Sequence, residues 1–325
     1  MSKAIVMSET GGPEVLKWND VEVGEPGAGQ VRLRHTAVGL NYIDVYFRTG
    51  AYPGPALPFT PGLEAAAVVE TVGPGVADLK PGDRVAYASP PLGAYSEERL
   101  MAADRVVKLP DGVDDQTAAA MMLQGMTAQY LLRQTYPVQT GETILFHAAA
   151  GGVGLMACQW AKHLGATVIG TVSSEAKAEL AAAHGCDHPV IYTRENFVER
   201  VKEITEGAGV PVVYDSVGKD TFAESLECLR PRGMMVSFGQ SSGKVPPVDI
   251  AVLSAKGSLF LTRPSLMTYT ASRADLVTSA NEVFQLVESG ALKIEVNQTF
   301  ALTDAAEAHR ALEGRRTTGS TVLLP

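Results

Sequence analysis

The chain has 325 residues, 46% of them hydrophobic and 19% charged, a balance that excludes a disordered polypeptide. At roughly 150 residues per domain it has room for two domains. Asp and Glu number 36 against 27 Lys and Arg, so the net charge of −9 has the wrong sign for a general nucleic-acid binder.

Residues 1–124 are dense in breakers, with eleven prolines and fourteen glycines. Short apolar or alternating runs lie between them at 4–7, 31–38, 65–72, 84–88 and 106–109. Gly11-Gly12-Pro13, Gly73-Pro74-Gly75 and Lys80-Pro81-Gly82-Asp83 separate these runs, which predicts a small all-β unit with long loops. From about Gly125 the rhythm changes. Residues 143–148 read as a buried strand, followed by a helix that runs to Leu164 and stops at Gly165. Residues 167–172 form the next strand, and Ser173 and Ser174 can cap a helix ending near Gly185. Further strands at 190–192, 212–214, 234–238 and 259–261 alternate with helices at 195–205 and 220–229. This alternation predicts an α/β domain with a doubly wound parallel sheet. Leu276, Ala280, Val283 and Val287 mark one more amphipathic helix, and the tail 294–325 returns to strand, short helix and strand.

No run approaches the roughly 18 apolar residues of a membrane span. The residues before Gly11-Gly12-Pro13 hold no hydrophobic signal region. Cys158, Cys186 and Cys228 are too few and too far apart for a disulfide framework and read as small buried thiols, which fits a reducing, cytoplasmic setting.

The most informative segment is Leu145-Phe146-His147-Ala148-Ala149-Ala150-Gly151-Gly152-Val153-Gly154, between a predicted strand and a predicted helix. Aligned on the dinucleotide fingerprint GxGxxG, Ala149 replaces the first glycine, while Gly151 and Gly154 supply the second and third. Gly151 would let the backbone approach a pyrophosphate, Gly154 would let helix and strand pack closely, and the helix N-terminus favours the anion. At the end of the second strand an NAD enzyme carries an acid for the ribose hydroxyls. Here Ser173 and Ser174 stand instead, with Lys177 one turn later and Glu175 only in the helix, a set that suits the 2′-phosphate of NADPH.

These residues resemble a known family. Gly141-Glu142-x-x-Leu145-x-x-x-Ala149-Ala150-Gly151-Gly152-x-Gly154, with Gln159 and Lys162, is similar to the signature of the quinone oxidoreductase and zeta-crystallin family, zinc-free members of the medium-chain dehydrogenase/reductase superfamily. The resemblance spans the chain through Asn41-Tyr42-Ile43-Asp44-Val45-Tyr46, Leu123-Gln124-Gly125-Met126-Thr127-Ala128, Tyr214-Asp215-Ser216-Val217-Gly218, Ser237-Phe238-Gly239 and Thr262-Arg263-Pro264-Ser265. It implies a GroES-like β-barrel catalytic domain from 1–124 plus 292–325, with a Rossmann NADPH-binding domain inserted at 125–291. It further implies NADPH in the interdomain cleft, contacted by Asn41, Thr127, Gly151, Gly152, Val153, Gly154, Ser173, Ser174, Lys177, Tyr192, Ser216, Phe238, Gly239 and Arg263.

Where zinc-dependent relatives carry a Cys and a His ligand, this chain has Asn41 and Leu63, and neither replaces a thiolate or imidazole on zinc, so no metal is expected. His184 and His188 read as surface residues near a helix end. Glu64 reads as a structural carboxylate hydrogen-bonded to backbone, with a lone acid in the cleft as the alternative. Without a Lewis acid the expected acceptor is electron-poor, a quinone taking one or two electrons or an enone or alkenal, with Asn41, Tyr46 and Tyr52 as the candidate catalytic residues facing it. A non-catalytic NADPH-binding protein, structural or RNA-binding, is the third reading. A homodimer is expected because residues 258–261, Ser-Leu-Phe-Leu, form an apolar edge strand.

Overall fold

The computed structural model describes residues 1–325. The chain forms two compact units, one comprising Met1–Met126, Thr270–Ser289 and Ile294–Pro325, the other Thr127–Tyr269 and Gly290–Lys293.

The first unit is built on the long strand Gln30–Leu40, whose alternating apolar residues Val31 and Leu33 and continuous run from Ala37 are buried. It pairs antiparallel with Glu64–Val72 and with Glu98–Ala102, and at its C-terminal end with the tail strand Ser320–Leu324. The register Leu40↔Thr321, Gly39↔Val322 and Val38↔Leu323 brings the tail back beside the N-terminal part of the chain. Strands Val296–Ala301, Arg84–Ala88 and Val107–Lys108 complete this sheet, and Ser2–Val6 pairs with Lys17–Val21 in a hairpin. Leu33, Val38, Leu40, Tyr87, Tyr95, Met101, Leu302 and Leu323 meet in one core.

Two elements of this unit differ from expectation. The helix Asp115–Tyr130 begins well before the rhythm change at Gly125. Residues 118–122 and Met126, Ala128 and Tyr130 are all buried, so its sequence lacks the one-sided period that marks a surface helix. The helix Arg273–Glu288, placed from sequence within 125–291, groups with the first unit. Arg273 donates to the Asp104 and Val106 carbonyls at 3.0 and 2.6 Å, and a Cβ on Gly125 would lie 2.8 Å from Val283, so the two helices approach at that glycine.

The second unit is a six-stranded, wholly parallel sheet with helices between its strands. In space the order is His188–Ile191, Thr167–Val172, Thr143–Phe146, Val210–Asp215, Leu229–Ser237, Phe260–Thr262, so the order reverses between the first and fourth strands in chain sequence. In open α/β sheets ligands bind outside the C-terminal strand ends at such a switch point. Leu145, Ile169, Val190, Val213 and Met235 fill the core. The edge strand leaves Phe260 at 58% and Leu261 at 40% exposure. The three cysteines are buried free thiols. His184 is buried rather than on the surface, because its Nδ1 pairs with the Leu180 carbonyl at 2.7 Å one turn back.

Candidate cofactor and acceptor site

In the second unit, Gly151 is the N-cap of the helix Gly152–His163, directly after the strand Thr143–Phe146 and its turn. A Cβ on Gly154 would meet the Ala148 carbonyl oxygen at 2.3 Å and Ala149 backbone atoms at 2.7 Å, so only glycine fits. A Cβ on Gly151 would find only the Ala148 oxygen, at 3.3 Å, so backbone packing alone does not demand glycine there. Ala148 adopts φ 56°, a left-handed conformation uncommon for a side-chain-bearing residue. Its amide donates to Thr171 Oγ1 at 3.3 Å, and His147 pairs with the same hydroxyl at 2.9 Å and with Ser225 Oγ at 2.9 Å, so a buried network holds the turn. The N–H groups of Gly152, Val153 and Gly154, in the first helical turn, have no acceptor within the helix.

At the end of the second strand, Ser174 caps the helix Glu175–Ala183 by accepting from the Lys177 amide at 3.4 Å. Ser174 does the capping, so the hydroxyl of half-buried Ser173 stands outside the cap. Glu175, the one acid of this stretch, pairs with Arg194 at 3.1 Å, which offsets its charge. Sequence reasoning passed over Arg194, although it follows the predicted contact Tyr192 by two residues; Tyr192 is 41% exposed.

Ser216, Phe238, Gly239 and Arg263 follow the ends of the remaining strands. A Cβ on Gly239 would lie 2.5 Å from the Ser216 carbonyl oxygen, so these two turns touch through glycine. Arg263 Nη1 donates to the Ser237 and Gly239 carbonyls at 2.9 and 2.7 Å, fixing that turn. Asp215 accepts from the Val217 and Gly218 amides at 2.7 and 3.0 Å and shapes the turn that carries Ser216. Thr127 is buried within the helix Asp115–Tyr130.

In the first unit, Asn41 is the N-cap of the helix Tyr42–Arg48 and is buried. The Asp44 carboxylate reaches back to the Asn41 amide at 2.9 Å, which starts the helix. Tyr46 and Tyr52 are brought together, with ring centroids 4.8 Å apart and the Tyr52 amide on the Tyr46 carbonyl at 3.0 Å. Asn41 instead joins a polar network. It donates through Nδ2 to Glu64 at 2.6 Å and accepts from Gln124 Nε2 at 3.1 Å. Glu64 also accepts from the Leu123 amide at 2.7 Å, so it has the backbone partner expected of it and a side-chain partner besides. Burial pushes the Glu64 carboxyl up to about 8, against the hydrogen bonds from Asn41 and Leu123, and pushes Asp44 up to about 7. No group of three or more His, Cys, Asp or Glu side chains is placed to hold a metal ion, and no helix is long and apolar enough to cross a membrane.

A parallel nucleotide-binding sheet with a glycine-loop helix, in one chain with a GroES-like β unit, defines an oxidoreductase of the medium-chain dehydrogenase/reductase class. Residues 27–111 match the alcohol dehydrogenase GroES-like domain family and residues 152–285 the zinc-binding dehydrogenase family. The chain is 57% identical to a quinone oxidoreductase of Pseudomonas aeruginosa over the full length of both, and 51% identical to a 2-haloacrylate reductase of a Burkholderia species, covering all of this chain and 99% of that protein. It superposes on the crystal structure of Escherichia coli quinone oxidoreductase complexed with NADPH with a TM-score of 0.98 and 49% identity, over 99% of this chain and all of that one. The chain belongs to the quinone oxidoreductase family.

The raised carboxyls of the first unit give a stability signature. A group whose folded pKa exceeds its unfolded value holds its proton in the folded state after the unfolded chain has lost it, so stability falls with rising pH between the two values. Glu64 spans the range from its ordinary 4.5 to about 8, and Asp44 from 3.8 to about 7. His35 and His309, lowered by burial to about 3, act in the opposite direction, but only below their ordinary 6.5. From pH 6.5 to 8 the carboxyls therefore dominate, with Glu64 contributing on the order of 1 kcal/mol per pH unit. Chemical denaturation should show wild-type stability falling across that window and a flatter dependence in Glu64→Gln. Equal slopes in the two proteins would contradict the assignment.

Proposed function

We propose that the chain reduces quinones with NADPH, passing reducing equivalents to an electron-poor carbonyl acceptor without a metal. The observation that carries this reading is the chemistry at the end of the second strand, where Ser173, Ser174 and Lys177 stand in place of a carboxylate and the nearby Glu175 is paired with Arg194. That set fits a 2′-phosphate, and the loop fits a pyrophosphate because Gly151 leaves backbone rather than a side chain at its face, while Gly154 lets the helix start close against the turn that follows the strand. When bound, NADPH supplies the hydride at its nicotinamide. The amides of Gly152, Val153 and Gly154 hold the pyrophosphate, while Ser173, Ser174, Lys177 and Tyr192 hold the adenosine end. Ser216, Phe238 and Gly239 bound the cofactor at the strand ends, Arg263 keeps their turn in place, and Thr127 completes the contacts. Asn41 and Tyr46 or Tyr52 serve the acceptor, where a phenol hydrogen donates to the oxygen on which charge develops.

Quinones are favoured as acceptors by the 57% identity to a quinone oxidoreductase. A second reading, reduction of an activated alkene next to a carboxylate or carbonyl, is favoured by the 51% identity to a 2-haloacrylate reductase. Asn41 and Leu63, where zinc-dependent relatives place ligands, support metal-free turnover. The three buried free cysteines suit a reducing cytoplasm.

Lys177 provides the test of the cofactor assignment. One charge-assisted hydrogen bond contributes roughly 1.5–3 kcal/mol, so Lys177→Ala should weaken NADPH roughly 10- to 100-fold. NADH, which lacks the 2′-phosphate, should hardly respond. The measurement is kcat/KM for both cofactors with a benzoquinone acceptor, and equal losses would reject the phosphate site.

The exposed Phe260 and Leu261 on an unpaired parallel edge support a homodimer in which two copies join their sheets. Light scattering should give a dimer mass at micromolar concentration and a monomer for Phe260→Asp. A monomeric wild-type protein would reject this pairing.

A further inference from the structure

Glu64 is fully buried, yet the proposed reaction gives it no task. The fold makes room for it deliberately: a Cβ on Gly39 would lie 2.4 Å from Glu64 Oε2 and 2.3 Å from the Ala119 carbonyl oxygen. One carboxylate oxygen accepts from the Leu123 amide at 2.7 Å and the other from Asn41 Nδ2 at 2.6 Å. The chain of contacts continues beyond Asn41. Its Oδ1 accepts from Gln124 Nε2 at 3.1 Å, and Gln124 Oε1 accepts from Ser320 Oγ at 2.7 Å.

An amide side chain has a donor end and an acceptor end of nearly the same shape, so its partners decide which way round it sits. Asn41 and Gln124 are two amides in series. At one end stands Glu64, whose two oxygens both receive N–H donors. At the other stands Ser320, a hydroxyl that can donate or accept and therefore selects neither orientation. Ionised Glu64 can only accept, and it sets the direction together with the Asp44 amide, which faces Asn41 Oδ1 in the capping box. The carboxylate turns Asn41 Nδ2 toward itself, which turns Oδ1 toward Gln124 and then Gln124 Oε1 toward Ser320. Asn41 Oδ1 also faces the Asp44 amide, so beyond these bonds Asn41 keeps one N–H, and reversing the amide would put a lone pair in its place.

We propose that Glu64 is a positioning residue that sets the orientation of the Asn41 amide, and thereby which hydrogen-bonding group Asn41 offers to cofactor or acceptor, with Gln124 bracing the amide from the opposite side. This rests on the reading of Asn41 as a site residue. A carboxylate that merely tied strand Glu64–Val72 to the helix Asp115–Tyr130 through Leu123 would need no contact with Asn41. Glu64→Gln keeps the volume but has a single acceptor oxygen for the two donors, and its NH2 group can reverse both amides.

The test is a cycle of Glu64→Gln, Asn41→Ala and the double variant, with Gln124→Met as a second way of loosening the amide. At pH 9, where Glu64 is ionised, it reads kcat and KM with a benzoquinone, NADPH affinity by fluorescence titration, and the Asn41 side-chain amide resonance of the cofactor-free protein, assigned by its loss in Asn41→Ala. Residues in one hydrogen-bond network do not act additively, so Glu64→Gln should lower kcat/KM about tenfold alone but by no more than about twofold in the Asn41→Ala background. The amide resonance should shift in Glu64→Gln and in Gln124→Met, and Gln124→Met should lower kcat/KM in the same direction. If Glu64→Gln fails to fold, the Gln124→Met shift and loss carry the test alone, and their absence overturns the proposal. A loss in Asn41→Ala with none in Glu64→Gln, or losses that multiply in the double variant, overturns the role of Glu64 and leaves the site intact. No effect of Asn41→Ala on turnover or NADPH affinity overturns the reading of Asn41 itself, and this inference with it.

Discussion

The helix Gly152–His163 can begin where it does only because position 154 has no Cβ; any side chain would strike the Ala148 carbonyl at 2.3 Å. That close approach fixes the direction of the helix axis against the first strand and aims the first-turn amides past the strand end. The turn itself is held by side chains from neighbouring elements, since His147 joins Thr171 and Ser225 beneath Ala148. The remaining strand ends follow the same economy. Gly239 admits the Ser216 carbonyl, Arg263 ties down Ser237 and Gly239, and Asp215 folds the turn after its own strand. Every charge or glycine in this row shapes backbone, which leaves a rim of amides and hydroxyls suited to a polyanionic cofactor.

The first unit presents the opposite problem, polar groups that must be buried. Glu64 and Asp44 are both fully buried, and each is met by hydrogen-bond donors, from Asn41 and Leu123 in one case and from the Asn41 amide and Tyr95 in the other. Such groups reduce stability relative to an apolar core, and removing one partner costs more than the pair contributes. Both meet at Asn41. The side-chain amide and the backbone amide of a single residue are each pinned by a carboxylate.

Much of the second unit was legible because its constraints are local. The glycine loop, the Ser174 cap and the alternation of strands and helices are each written within a few consecutive residues. The GroES-like unit and the family resemblance were legible through motifs spread along the chain. Hidden were features that join distant residues. The Glu64–Asn41–Gln124–Ser320 chain spans separations of 23, 83 and 196 residues, and no spacing rule predicts such contacts. The helix Asp115–Tyr130 was concealed because it is buried nearly all round and mixes polar with apolar residues, and the grouping of Arg273–Glu288 with the first unit depends on Gly125 and on backbone carbonyls at 104 and 106. The one local hint of the network was a carboxylate, Glu64, directly after Gly62-Leu63 and ahead of the apolar run Ala65–Val69.

The acceptor that the enzyme reduces fastest decides between the two readings of its substrate. Initial rates of NADPH oxidation by the purified protein should be compared for 1,4-benzoquinone, 9,10-phenanthrenequinone, 2-chloroacrylate and a simple 2-alkenal under identical conditions. The quinones should give the highest kcat/KM, by at least about tenfold, a discrimination of roughly 1.4 kcal/mol in the transition state. Turnover of 2-chloroacrylate or the alkenal with no acceleration by either quinone would contradict the quinone reading.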